Sequence, residues 1–87
     1  MFHTILRFPT VVLQSGYSRS TIYLRISQGL WTKQISLGPR AIGWPANEIA
    51  ELNLARISGK SDDEIRELVK SLHSKRQGWI AELGEQE

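Results

Sequence analysis

The 87-residue sequence predicts a small, mainly α-helical fold that contains one β-hairpin. Three observations support this prediction. A segment of helical length starts at Ser18, which is a good N-cap residue, and stops at Gly29. Two short segments with strand-forming residues flank a Gly-Pro-Arg turn at positions 38–40. Further on, Ser61 and Glu64 have the spacing of a capping box and precede an amphipathic helix.

The N-terminal part of the chain predicts a strand followed by a short helix. Apolar and polar residues alternate over 4–8, which favours a strand. The proline that follows suits the first turn of a helix, because its missing N–H would be unpaired there, and we place this helix over 9–15. We expect the helix to bury Val12 and Leu13 and to leave Val11 partly exposed.

Two more helices and the hairpin are predicted after the first helix. Gly16 separates the first helix from a second one over 19–28. Strands over 33–37 and 41–44 form the hairpin, and a third helix follows over 45–57. Two short helices joined by a tight turn and followed by a hairpin have the layout of a winged helix-turn-helix, a fold that reads duplex DNA.

The remaining residues predict a helical tail. We divide the chain into a winged helix-turn-helix domain over 1–58 and a C-terminal helical tail over 59–87. Apolar residues recur along the tail at helical spacing: Ile65, Leu68, Val69 and Leu72, then Trp79, Ile80 and Leu83. The sequence leaves open whether this stripe packs on the winged domain or pairs with a second copy of the chain. We assign no DNA contact to the tail, and we expect a chain that ends at Lys75 to fold.

Positive charge is concentrated in the first half of the sequence. Residues 1–47 contain five basic side chains and no acidic one, whereas residues 48–87 contain six basic and nine acidic ones. The net charge of +2 therefore hides a cationic N-terminal half. Such one-sided charge is typical of a protein that binds a polyanion.

The sequence also argues against several other classes of protein. There is no cysteine, which excludes a disulfide framework and a thiolate metal site. No apolar run is long enough to span a bilayer and no signal-peptide pattern is seen, so we expect a cytoplasmic protein without membrane contact. His73, taken with Glu67 or Asp63, lacks the paired spacing of metal ligands, and Ser20 and Thr21 have no nearby histidine or lysine base. We expect no enzyme activity, no metal and no cofactor, and a solvated His73.

The second helix supplies the candidate base-reading residues. At 100° per residue, Ile22 and Ile26 lie on one face and point to the core. The opposite face is centred on Leu24 and is flanked by Ser20 and Thr21. Residues near the N-terminus of a helix in a major groove reach base edges first. We therefore expect Ser20 and Thr21 to read bases and Leu24 to contact a thymine methyl group.

Phosphate contacts are expected around the same helix and on the hairpin. We assign them to Ser18 at the helix N-terminus and to Arg19, Tyr23, Arg25, Lys33 and Arg40. Arg40, at the tip of the hairpin, suits insertion into a narrow, negative minor groove. The alternative is a well-capped structural helix, with Tyr23 in the core and a solvated turn arginine.

Two motifs in this region resemble those of the AlpA family of prophage regulatory proteins. Its members carry a Ser-Arg-Ser-Thr-Ile-Tyr helix, found here at Ser18–Tyr23, and an Ile/Val-x-Leu-Gly-x-Arg-Ala-x-Gly-Trp hairpin, found here at Ile35–Trp44. The similarity extends over about residues 4–57. It implies a MerR-like or excisionase-like winged helix, sequence-specific DNA binding, and control of prophage genes or of excision. It also implies a recognition helix over 19–28 and a wing over 33–44.

The chain departs from the family pattern at two places. An arginine is common at the position of Leu24, and here the arginine is displaced to Arg25. A Phe-Pro pair is common where Trp31-Thr32 stands. The first departure changes the expected base contacts, because Leu24 cannot donate a hydrogen bond. The segment over 61–76 resembles a tail found in only part of the family.

The function predicted from these observations is a sequence-specific DNA-binding transcriptional regulator of the prophage type, in the bacterial cytoplasm and on the nucleoid when bound. The expected partner is double-stranded DNA, with a second copy of the chain as a candidate partner of the tail. Two alternatives stay open. One is an excisionase-like architectural factor that bends DNA and directs an integrase. The other is an adaptor that uses the helix-turn-helix to bind another protein.

Overall fold

The computed structural model describes the backbone of residues 3–85 and the side chains of residues 3–79. Within that range the fold is mixed α/β, with four helices and one three-stranded antiparallel sheet. The elements, in chain order, are β1 (Ile5–Arg7), α1 (Phe8–Ser15), α2 (Arg19–Ser27), β2 (Ile35–Gly38), β3 (Ala41–Pro45), α3 (Ala46–Ile57) and α4 (Asp62–Glu85). This arrangement is compatible with a helix-turn-helix followed by a hairpin.

The predicted hairpin is present, and the N-terminal strand joins it. The strand order is β1-β3-β2, so the second hairpin strand lies in the middle of the sheet. The sequence predicted β1 as a strand but not its pairing with β3, which aligns Arg7 with Gly43. A Cβ atom on Gly43 would lie 2.7 Å from Ile5 Cγ2 and 2.8 Å from the Leu6 carbonyl oxygen, so this position has room only for glycine.

The predicted burial along α1 is wrong. Val11 is completely buried and Val12 is half-buried, whereas Leu13 is 84% exposed. The helix begins at Phe8, one residue earlier than predicted, and Phe8 is itself buried. Val11 follows Phe8 by three residues and shares its face, while Leu13 points away from that face. The aromatic ring at the first helical position therefore sets which side of α1 packs inward.

The prediction for α2 is confirmed. The backbone N–H of Thr21 donates to the Ser18 hydroxyl over 3.2 Å, which is the expected N-cap hydrogen bond. Ile22 is completely buried, and Ile26 packs against the same core. Gly29 follows the C-terminal end of the helix with a φ of 76°, a left-handed conformation that favours glycine.

The beginning of α4 confirms the capping box. The Glu64 N–H donates to the Ser61 hydroxyl over 3.2 Å, and the Ser61 N–H donates to the Glu64 carboxylate over 3.3 Å. This backbone hydrogen bond to the carboxylate lowers the pKa of Glu64 below its usual range. The sequence therefore determines the N-terminus of α4 locally, by two reciprocal hydrogen bonds.

The first half of α4 packs on the rest of the molecule. Ile65, Val69 and Leu72 are buried in the same cluster as Trp31 and Trp44. Of the two roles that the sequence left open for the near half of the tail, the structure therefore shows packing on the domain. Further along, the ring of Trp79 lies 4.2 Å from the ring of His3.

The rest of the predicted tail stripe, Ile80 and Leu83, falls outside the described side chains. The division of the chain at residue 58 stays a prediction. Among residues 3–85, no helix combines the length and the apolar character needed to cross a membrane.

Candidate nucleic-acid interface

A basic groove runs between α2 and the β-hairpin. It is lined by Arg7, Phe8, Pro9, Arg19, Tyr23, Arg40 and Ile42. Three of these seven side chains are arginines and none is acidic. Among the side chains of residues 3–79, no carboxylate lies within salt-bridge distance of the three arginines. Their positive charge is therefore not neutralised by neighbouring side chains, which makes the groove suited to an anion.

The floor of the groove is organised by Phe8. Its ring packs edge-to-face on Trp44, at 5.0 Å between centroids, and on Tyr23, at 5.5 Å. The Arg19 guanidinium lies 4.8 Å from the centre of the Phe8 ring. Because Phe8 and Trp44 are buried, these contacts join Arg19 and Tyr23, which are both exposed, to the core at the edge of the groove.

The opposite edge of the groove comes from the sheet. Arg40 is exposed in the turn between β2 and β3. Arg7 reaches this side because β1 pairs with β3. The sequence places Arg7 in the cationic N-terminal half but does not assign it to the site. The missing signal was the pairing of β1, which joins residues far apart in the sequence.

The exposed face of α2 adjoins this groove. Leu24 is 57% exposed and Tyr23 is 47% exposed, while Ser20 is also open to solvent. The hydroxyl groups of Ser18 and Thr21 lie 2.9 Å apart and are hydrogen-bonded to each other. The Thr21 hydroxyl is therefore already engaged at the N-terminus of the helix, whereas Ser20 is accessible to a ligand.

Two predicted phosphate-binding residues lie outside the groove. The Arg25 guanidinium is 4.9 Å from the centre of the Tyr17 ring, which the guanidinium of Arg56 also approaches to 4.1 Å. Lys33 lines a separate cleft beside α4, together with Arg66 and other residues. The structure therefore brings Arg19, Tyr23 and Arg40 together but places Arg25 and Lys33 elsewhere.

Comparison with known proteins agrees with the motifs found in the sequence. Residues 4–56 match the model of the family described as "Prophage CP4-57 regulatory protein (AlpA)". The chain belongs to the AlpA family. It is also similar to the uncharacterized protein ORF88 of Enterobacteria phage P4, with 40% identity over 55 residues. That match covers 63% of this chain and 62% of the phage protein. No solved structure matches.

The AlpA match ends before α4, and α4 holds polar contacts that the sequence analysis missed. His73, predicted to be solvated, is half-buried, and its Nε2 accepts a hydrogen bond from the Lys33 N–H over 3.1 Å. Burial lowers the pKa of His73 below its ordinary value of 6.5, Arg76 and Lys33 add to the shift, and Glu48 opposes it. The neutral imidazole is the form that accepts this hydrogen bond.

Proposed function

We propose that this AlpA-family chain binds duplex DNA as a sequence-specific regulator of the prophage type. In this proposal α2 is the recognition helix and enters the major groove. The β2–β3 hairpin is the wing and contacts an adjacent minor groove or its phosphates. The observation that carries the proposal is the groove between α2 and the hairpin, which Arg7, Arg19 and Arg40 line and which no carboxylate of the described side chains lines.

The arrangement of charge supports a continuous phosphate contact. Arg19 comes from α2, Arg40 from the hairpin turn and Arg7 from β1, so three separate elements direct cations to one groove. The N-terminus of α2 adds backbone N–H groups that also favour an anion. Guanidinium groups suit phosphate because they donate two parallel hydrogen bonds.

Base contacts in this proposal come from the exposed face of α2. Ser20 and Leu24 are accessible there, and Ser20 lies in the first turn, which reaches deepest in a major groove. Thr21 reaches a base only if its hydroxyl gives up its bond to Ser18. We therefore assign sequence reading first to Ser20, with Leu24 against a thymine methyl group.

The salt dependence of binding tests the proposal. If the three groove arginines and one further cation each neutralise one phosphate, the slope of log K against log salt should be about −4, from about −0.9 per phosphate. Titration of labelled duplex DNA at several salt concentrations measures this slope. A slope near zero, or no binding to any duplex, would contradict the proposal.

Substitution of Arg40 tests the role of the hairpin. Arg40→Ala should weaken DNA binding by about 1–3 kcal/mol and leave the fold intact, because the side chain is exposed. The matched control is Lys60→Ala, which removes an exposed cation that pairs with Glu64, away from the groove. If both variants bind DNA like the parent protein, the hairpin is not part of the interface.

Footprinting on prophage DNA distinguishes the two DNA-binding alternatives. A single protected promoter site supports a transcriptional regulator. Tandem protected sites beside an attachment site would instead identify an excisionase-like factor that acts with an integrase. If no site is protected, the remaining alternative is an adaptor that binds another protein.

A further inference from the structure

The segment between α2 and the hairpin is held by side chains of α4. This linker comprises residues 28–34 and has no helix or strand of its own. At its start, Arg66 Nε donates to the Gln28 carbonyl oxygen over 2.9 Å. At its end, His73 accepts from the Lys33 N–H over 3.1 Å. One helix therefore binds both ends of the linker backbone.

Arg76 adds a third contact and joins it to α3. Its Nη2 donates to the Lys33 carbonyl oxygen over 2.9 Å. Its Nε donates to Glu48 Oε2 over 2.7 Å, and Nη2 also donates to Glu48 Oε1. Glu48 is completely buried in the first turn of α3, which follows β3 directly. The Arg76 guanidinium thus connects the linker, α3 and α4 at one point.

The hairpin holds the same linker from the other side. Trp44, in β3, is completely buried, and its indole N–H donates to the Thr32 carbonyl oxygen over 2.8 Å. The carbonyl of Thr32 therefore binds the sheet while both backbone groups of Lys33 bind α4. The linker that connects α2 to the hairpin is therefore held on one side by the sheet and on the other by α4.

We propose that α4 positions the DNA-binding surface, with Arg76 and His73 as positioning residues that fix the hairpin relative to α2. This inference rests on the proposed DNA-binding function. A helix and a hairpin bind one duplex together only if the distance between them matches the distance between their binding sites on the DNA. If the protein fixes that distance before binding, it avoids the entropic cost of ordering the two elements on the DNA. α4 lies outside the residues that match the AlpA family, so this device is additional to that match.

Directional hydrogen bonds distinguish this role from simple coverage of the core. Ile65, Val69 and Leu72 already bury the apolar face of α4. His73 and Arg76 each make a hydrogen bond to the backbone of Lys33, an exposed residue, where apolar burial gains little. The other hydrogen bonds of Arg76 go to the buried Glu48 carboxylate. Their consequence is a fixed linker conformation.

The first test is a double-mutant cycle between the positioning contact and the hairpin. Arg76→Lys keeps the charge but loses the two-pronged contact with Glu48. We expect it to weaken DNA binding about tenfold. Arg40→Ala should then reduce DNA affinity by a smaller factor in Arg76→Lys than in the parent protein, because the hairpin is no longer held where Arg40 can contact the DNA. The neighbouring control, Lys75→Gln, removes an exposed cation and should bind like the parent.

The outcomes of the cycle separate the two proposals. Additive losses for Arg76→Lys and Arg40→Ala, or parent-like binding by Arg76→Lys, would overturn the positioning role while leaving DNA binding in place. Failure of the parent to bind any duplex would overturn the proposed function and this role with it. Circular dichroism identifies a temperature at which each variant is folded, and all titrations are made there.

A second pair of variants tests His73 and does not depend on Arg76. His73→Gln retains a hydrogen-bond acceptor near the position of Nε2, whereas His73→Leu removes it. Amide hydrogen exchange at Lys33, measured without DNA, should accelerate in His73→Leu and be largely restored in His73→Gln. DNA affinity should follow the same order. Equal exchange at Lys33 in the parent protein and in both variants would overturn the proposal, even if Arg76→Lys fails to fold.

Discussion

Loss of the Arg76 guanidinium should destabilise the protein far more than loss of a surface cation. Glu48 is 0% exposed, so its carboxylate depends on Arg76, which is itself only 17% exposed. Arg76→Met keeps most of the aliphatic stem of the side chain but leaves the Glu48 carboxylate buried without its partner. An unpaired buried charge of this kind costs about 3–5 kcal/mol.

That cost is large for a chain of 87 residues. At about 0.05–0.15 kcal/mol per residue, the whole free energy of unfolding is about 4–13 kcal/mol. Arg76→Met should therefore remove about a quarter or more of it, and the same loss is expected for a chain that ends at Lys75. The burial of Glu48 therefore predicts that a chain that ends at Lys75, which the sequence predicts to fold, is less stable than the full chain.

Urea denaturation measures the loss of stability, and a second substitution tests whether the unpaired Glu48 carboxylate causes it. With a denaturant slope of about 1–2 kcal/mol per M, Arg76→Met should lower the urea midpoint by roughly 1.5–5 M. Adding Glu48→Met should restore most of the loss, because two apolar side chains replace the ion pair and the exposed Lys33 carbonyl returns to water. The control Lys75→Met should stay within about 0.5 kcal/mol of the parent. A loss below about 1 kcal/mol for Arg76→Met, or no recovery in the double variant, would refute this reasoning.

Three further predictions concern stability. Because the pKa of folded His73 is lowered from 6.5, the unfolded chain takes up a proton first as the pH falls. The stabilisation from neutral His73 is complete above about pH 6.5 and is lost below it. The melting temperature should therefore fall less between about pH 7.5 and 5.5 in His73→Gln than in the parent protein. An equal fall in both proteins would contradict this assignment. Gly43→Ala should cost about 1–3 kcal/mol, because the new Cβ would meet the Leu6 carbonyl oxygen at 2.8 Å. A Cβ atom at Gly78 in α4 would meet open space, so Gly78→Ala should raise the free energy of unfolding by about 0.5–1 kcal/mol in the same urea assay. Equal effects of the two alanine substitutions would show that the contact at Gly43 does not affect stability.

The features that the sequence predicted are those with local causes. Ser18 caps α2 through a hydrogen bond to a residue three positions away, and Ser61 caps α4 in the same way. Ile22 and Ile26 follow from helical spacing once that start is known. The error along α1 concerned which side of the helix faces the core: Phe8 and Val11 are buried and Leu13 is exposed, and that choice depends on packing against other elements.

The features that escaped the sequence analysis depend on contacts between distant residues. Glu48 and Arg76 are 28 positions apart, and Lys33 and His73 are 40 positions apart. Each looks like an ordinary surface residue in its own helix or loop. Arg7 joined the candidate site for the same reason, because only the pairing of β1 with β3 brings it there. No local sequence pattern predicts such pairings, so the contacts between α4 and the linker are identified only from the three-dimensional structure.

The strand order of the sheet also implies an order of folding events. The β2–β3 hairpin closes around a two-residue turn, and such hairpins form in about 1–10 μs. β1 pairs with β3 across 36 to 40 residues, so its addition requires closure of a loop that contains α1 and α2. The hairpin should therefore form early and β1 should dock late, which brings Arg7 into place last. During synthesis β1 therefore stays unpaired until the ribosome has released β3, which ends at Pro45.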